Sequence, residues 1–127
     1  MLFRSLFQVV TESTRIYEQN CVIVDQGEPN CDAEFRLAKV ECTYGYNANV
    51  VAVRFYELKK GDEEKREFTY KELNRKSKRV EVQRKDMLVV GDDFLAVKKN
   101  RLVLRKPVAT KVLQMLKQRH PASNAAS

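Results

Sequence analysis

Residues 94–119 read FLAVKKNRLVLRKPVATKVLQMLKQR and contain eight Lys or Arg residues but no Asp or Glu. Apolar residues alternate with polar ones up to Arg105 and then recur with a spacing near 3.6. Alternation is typical of a strand with one buried face, and the longer period is typical of an amphipathic helix. The stretch therefore predicts a basic hairpin that turns at residues 98–100 and a basic helix that begins at Pro107 and ends before Pro121.

The same two patterns predict which side chains of this stretch reach the core. The residues expected there are Leu102, Leu104, Val108, Val112, Met115 and Leu116. The cations between them are expected to point away from the core, so only the cations are candidates for function.

Upstream of this stretch, short apolar runs are separated by turns rich in Gly, Asn and Asp, which is typical of antiparallel strands. Further strands are predicted at residues 21–24, 34–44, 50–59, 65–70, 79–83 and 87–90. The three that cover residues 34–70 are expected to form a meander with one buried face. This rhythm predicts an antiparallel sheet or a small β-barrel of about six strands.

Two further helices are predicted, one of them at the N-terminus. Its apolar stripe at helical spacing comprises Leu2, Phe3, Leu6, Phe7, Val10 and Tyr17. The β-branched run at residues 9–11 favours a strand as the alternative. Thr69 and Glu72 match the T-x-x-E capping box, which predicts a short helix over residues 70–77.

These elements together predict an α+β fold, a sheet or small barrel with an amphipathic helix at each end. The length of 127 residues suits one basic, β-rich domain over residues 1–120. Residues 121–127 show no periodicity and are expected to be a disordered tail.

The charge is unevenly divided along the chain. The formal net charge of +7 is the sum of −3 over residues 1–50 and +10 over residues 51–127. A strongly basic region favours a polyanionic partner. The expected partner is nucleic acid, and RNA or single strands are favoured because no recognition-helix motif for the major groove of DNA is present.

The sequence gives little sign of catalysis, so a non-enzymatic protein without a cofactor is expected. It contains no phosphate-binding glycine loop, nucleophile elbow or zinc-protease motif. The three cysteines, Cys21, Cys31 and Cys42, and the single histidine, His120, do not have zinc-site spacing. The pairs Glu63–Glu64 and Asp92–Asp93 lie in predicted turns, where carboxylates are usually solvated.

The predicted binding surface combines cations with one aromatic residue. Its members are Arg54, Tyr56, Lys76, Lys78, Arg79, Lys98, Lys99, Arg101, Arg105, Lys106 and Lys111. Alternation places Tyr56 beside Arg54, and Tyr46 lies in a turn, so both are candidates for base stacking. Phe68 is expected in the core.

An alternative is a protein-interaction or self-assembly subunit, of viral or phage origin among the options. Its halves of opposite charge would bind an acidic protein or a second copy and so form a homo-oligomer. Few and unpaired cysteines favour an intracellular, reducing compartment. Mitochondrial import stays open because no acid precedes Glu12, and no apolar run is long enough to predict a transmembrane segment.

Overall fold

The computed structural model describes residues 7–26, 34–45, 48–73 and 76–119, and within them the chain forms ten strands and one α-helix. The strands are β1 (Gln8–Val9), β2 (Cys21–Val24), β3 (Arg36–Thr43), β4 (Val50–Phe55), β5 (Leu58–Asp62), β6 (Glu67–Tyr70), β7 (Arg79–Gln83), β8 (Met87–Gly91), β9 (Leu95–Lys98) and β10 (Arg101–Leu104). The helix is α1 (Lys106–Arg119).

The strands form two antiparallel sheets. The first sheet has the order β1-β8-β2-β3-β4-β7, and the second has the order β5-β6-β10-β9. The prediction of a mainly antiparallel fold is confirmed. The predicted barrel is wrong, because the described strands form two separate sheets and neither of them closes.

The first sheet must curl strongly, because β7 and β8 are joined by only three residues, the 3₁₀ turn Arg84–Asp86. In a flat sheet, the four strand spacings between β7 and β8 would measure about 19 Å. The four Cα steps from Gln83 to Met87 can span at most about 14 Å. The sheet therefore bends until its β7 edge approaches β8, although the two strands do not pair.

Arg84 stabilises the curled sheet where its β7 edge approaches β8. The residue is only 6% exposed. Its Nη1 donates to the carbonyls of Thr11 (2.9 Å) and Thr14 (2.6 Å), and its Nε donates to the carbonyl of Ala48 (3.0 Å). The guanidinium thereby ties the 3₁₀ turn to the segment after β1 and to the segment before β4.

Each face of the first sheet has its own core cluster. One cluster includes Val22, Val40, Val53 and Val82 on the face that the curl encloses. The other includes Ile23 and Leu37 and packs against the second sheet and α1. Because β2 is buried on both faces, it reads as the continuous apolar run CVIV.

The strand predicted over residues 50–59 is two strands in different sheets. The chain changes sheet at Tyr56 and Glu57, since the Tyr56 N–H donates to the Leu37 carbonyl (2.9 Å) and the Glu57 carbonyl accepts from Lys71 (2.9 Å). As a result, β4 pairs with β3 and β7, while β5 pairs with β6. The predicted meander is therefore divided between two sheets.

The predicted N-terminal helix is wrong over residues 7–17. Val9 belongs to β1, which pairs with β8, as the β-branched run favours. The Thr14 hydroxyl then accepts from the Thr11 N–H (2.9 Å) and makes a turn. The stripe residues Leu2, Phe3 and Leu6 lie outside the described residues.

The predicted helix at residues 70–77 is also wrong where the chain is described. Thr69 lies in β6, and its hydroxyl donates to the Lys60 carbonyl (3.5 Å) instead of capping a helix. Tyr70 pairs with both Leu58 and Leu102. Sheet pairing on both sides of β6 outweighs the local capping signal.

The hairpin and the C-terminal helix agree with the sequence analysis. Lys99 and Asn100 have φ values of 50° and 62°, as a two-residue type I′ turn requires. Val108, Val112 and Leu116 of α1 are buried. Residues 121–127, expected to form a tail, lie outside the described residues.

The contacts of Arg84 predict a large loss of stability on its removal. Arg84→Met keeps much of the apolar volume but leaves carbonyl oxygens without their donor, so we expect the free energy of unfolding to fall by about 2 to 4 kcal/mol. Urea denaturation measures this change.

The neighbouring exposed residue provides the control. Lys85→Met removes the same charge next to Arg84 and should change stability by less than about 0.5 kcal/mol. Equal losses in the two variants would show that the net charge, and not the Arg84 contacts, determines the effect.

Candidate functional site

The outer face of the second sheet carries a groove of about 680 Å³. The register places Thr69, Val103 and Ala96 in one row across β6, β10 and β9. Side chains directly opposite each other project from the same face, so this row forms an apolar floor. The opposite face of β10 supplies Leu104 to the core.

Cations surround the floor at both ends. We call this region the basic groove and define it by its lining residues, Arg66, Glu67, Thr69, Ala96, Lys98, Lys99, Arg101, Val103, Leu104, Arg105, Lys106 and Pro107. The hairpin tip supplies Lys98, Lys99 and Arg101 at one end. Because Arg101 begins β10 and Arg105 follows its last residue, four positions further on, the two ends are about 13 Å apart.

Two acids reduce the charge at the end formed by Arg105. Its Nη2 contacts the Asp93 carboxylate at 2.8 Å, and its Nε donates to the Asp93 carbonyl at 3.0 Å. Glu67 lines the same end. The remaining cations of the groove make no ion pair with any described residue, and these are Arg66, Lys98, Lys99, Arg101 and Lys106.

The structure brings together five of the residues predicted from the sequence. They are Lys98, Lys99, Arg101, Arg105 and Lys106. Sequence reasoning missed Arg66 as their neighbour, since it lies in the turn before β6 and is far from the hairpin along the chain. Only the register between β6 and β10 places it at the groove, and no local pattern predicts that register.

Other predicted cations lie elsewhere. Arg54 contacts Glu41 at 2.8 Å and donates to the Ser77 carbonyl at 3.0 Å, so its side chain has a structural role in the first sheet. Arg79 pairs with it across β4 and β7. The Tyr44 hydroxyl beside Arg79 raises the pKa of that guanidinium.

Lys76 and Lys78 are exposed just before β7, and Lys111 is half-buried on α1. None of these three lines the basic groove. The cations predicted as one surface therefore lie on at least two.

Tyr56 is not a stacking platform. It is 8% exposed and packs edge-to-face on Tyr70, with ring centroids 6.3 Å apart. Burial raises the pKa of its phenol to about 12. The predicted burial of Phe68 is confirmed, with its ring 5.0 Å from that of Phe35. Tyr46 lies outside the described residues.

The remaining reactive groups have local structural roles. Burial raises the pKa of the Cys21 thiol, and Cys42 is a half-buried free thiol. Asn20 donates to the Asp92 carboxylate, and Asp93 holds Arg105. Across the described part of the chain, no three His, Cys, Asp or Glu side chains are grouped to hold a metal. Cys31 and His120 lie outside that part.

None of the described helical segments is both long and apolar enough to cross a membrane. Comparisons of the chain with protein-family models, with curated proteins and with solved structures found no match.

The buried phenol of Tyr56 predicts a loss of stability at high pH. An unfolded chain releases this proton near pH 10 and the folded chain near pH 12. The folded state therefore binds more protons between these values, and the free energy of unfolding should fall as the pH rises, by about 2 to 3 kcal/mol in total. Urea denaturation across this pH range measures the fall.

Tyr56→Phe isolates this effect from the other groups that titrate at high pH. The variant should lose less stability than the parent between pH 10 and pH 12. The same pH dependence in both proteins would mean that the Tyr56 phenol ionises as it does in water.

Proposed function

We propose that the basic groove binds single-stranded nucleic acid, as a non-enzymatic site that recognises the phosphate backbone. The observation that carries this proposal is the arrangement of cations at both ends of an apolar floor. Phosphates are bound by clustered Lys and Arg side chains that displace counterions, and the floor suits the faces of unpaired bases.

The dimensions of the groove favour a short run of nucleotides. Its two cationic ends are about 13 Å apart, which corresponds to about four steps of a stacked strand that rises 3.4 Å per nucleotide. A strand laid along β10 would place phosphates near Arg101 at one end and near Lys106 at the other. The bases between them would cover Val103 and Ala96.

The residue types in the groove also favour binding with little preference for the base sequence of the strand. Among the described residues that line the groove none is aromatic, so they provide no stacking platform of the kind that contributes about 1 to 3 kcal/mol per base in other single-strand binders. Binding would then depend mostly on phosphate contacts. With five cations available, the slope of log K against log salt is expected near −3.5 for a single strand.

A single strand is favoured over duplex DNA because the groove presents no helix for insertion into a major groove. Only the first turn of α1, at Lys106 and Pro107, reaches the groove. Val108, Val112 and Leu116 of the same helix are buried in the core. The helix supports the sheet from the side opposite the floor.

Charge reversal at the hairpin tip tests the proposal. The triple variant Lys98→Glu, Lys99→Glu and Arg101→Glu removes three of the five available cations, so affinity for a short fluorescent oligouridylate should fall at least tenfold and the salt slope should become about −1.4. Fluorescence anisotropy over a series of salt concentrations measures both.

A matched triple variant is available at the start of β7. Lys76→Glu, Lys78→Glu and Arg79→Glu change the net charge by the same amount but lie outside the groove. This variant should retain affinity within about threefold, since its cations contribute only long-range attraction that salt screens. Equal losses in the two variants would contradict a localised site, and a larger loss here would place the site at β7.

The competing interpretation, an acidic protein partner, is tested with the same probe. Oligoglutamate of equal charge should displace the oligouridylate only at much higher concentration, because a flexible carboxylate chain does not cover the floor with flat apolar faces. Displacement at equal concentration would show that the groove recognises negative charge alone.

A further inference from the structure

The free edge of β9 is a second surface, which meets the groove only at Lys98 and Lys99. In the second sheet β9 pairs only with β10, so its other side has no neighbouring strand among the described residues. The Arg105 N–H donates to the Phe94 carbonyl at 2.9 Å, which fixes the hydrogen-bonded pairs of this hairpin. By alternation, the backbone groups of Leu95 and Val97 point to the free side.

Apolar and basic side chains lie next to each other along this edge. Val97 is 71% exposed, the highest value among the large apolar residues that are exposed in the described part of the chain. On the opposite face of the strand, Lys98 lies beside Lys99 at the hairpin tip. The edge therefore offers backbone groups that no described strand pairs with, an exposed apolar side chain and positive charge within one short strand.

We propose that the β9 edge binds an extended acidic segment of a protein partner by adding it to the second sheet as a fifth strand. Residues directly opposite each other on paired strands project from the same face. An acidic residue of the partner would lie opposite Lys98, and an apolar residue would lie opposite Val97. The edge thus selects segments in which acidic and apolar residues alternate.

The positive charge of the edge favours this occupant over a second copy of the chain. Lysines and short length normally protect an edge strand from pairing with other strands. A second copy would bring another basic hairpin and a net charge of +7 to the same place. An acidic strand instead neutralises Lys98 and Lys99 while its backbone pairs with Leu95 and Val97.

This surface does not depend on the proposed function of the groove. The two surfaces share Lys98 and Lys99, but the edge also uses the backbone groups of Leu95 and Val97 and the Val97 side chain, none of which lines the groove. A change that blocks only the edge therefore leaves Arg101, Val103 and Lys106 in place.

The first test uses the full chain and a short capped peptide in which glutamate and valine alternate. Its control has the same composition, with all glutamates preceding all valines. We expect the alternating peptide to bind at least tenfold more tightly by fluorescence anisotropy and to slow hydrogen exchange of the Leu95 and Val97 amides at least fivefold. Equal affinity of the two peptides, or unchanged exchange at both amides, would overturn the proposal.

The second test blocks the edge directly. Val97→Pro removes an N–H that faces away from β10, a position at which an edge strand tolerates proline. The variant should lose affinity for the alternating peptide at least tenfold while its oligouridylate affinity stays within about twofold. Undiminished peptide binding would contradict strand addition.

Two further measurements cover a proline variant that does not fold and a protein that dimerises through this edge. If the proline variant does not fold, Val97→Thr retains the N–H and removes only the apolar contact, and it should weaken peptide binding about threefold while the amide protection persists. Sedimentation of the parent protein reveals any dimer. A dimer that already protects the Leu95 and Val97 amides would make a second copy the occupant and would overturn the proposal.

Discussion

The fold depends on the three-residue connection between β7 and β8 and on the Arg84 guanidinium within it. Because so short a link joins strands that lie far apart in the sheet order, the first sheet has to curl. Arg84 then donates hydrogen bonds to carbonyl groups in the segment after β1 and in the segment before β4. The curl encloses one apolar face, which leaves the other face free to pack against the second sheet and α1.

One strand of the second sheet, β10, supplies side chains to both the core and the candidate site, because successive residues of a strand point to opposite faces. Leu102 and Leu104 of β10 face the core, while Arg101 on the same strand and Arg105 directly after it line the groove. The cations can therefore vary without loss of core contacts. By contrast, a shift of one residue in the register of β10 would exchange the two sets and destroy both.

Features that depend on residues close together in the sequence could be predicted, whereas features that depend on pairing between distant strands could not. The basic hairpin and α1 follow from turn chemistry and periodicity within residues 94–119, and five of the groove cations lie there. The chain changes sheet because Tyr56 still pairs with Leu37 of the first sheet while Glu57 pairs with Lys71, directly after β6 of the second, and Arg66 reaches the groove through the β6–β10 register. The alternation of polar and apolar residues predicts an exposed Tyr56, because such a pattern does not show that a second sheet covers that face of the strand.

We propose that single-stranded nucleic acid lies on the outer face of the second sheet. The most direct measurement is an amide NMR titration of the protein with oligouridylate. Binding at this face predicts the largest shifts at Thr69, Ala96 and Val103, the row that forms the groove floor. Shifts concentrated along β4 and β7, with this row unchanged, would contradict it.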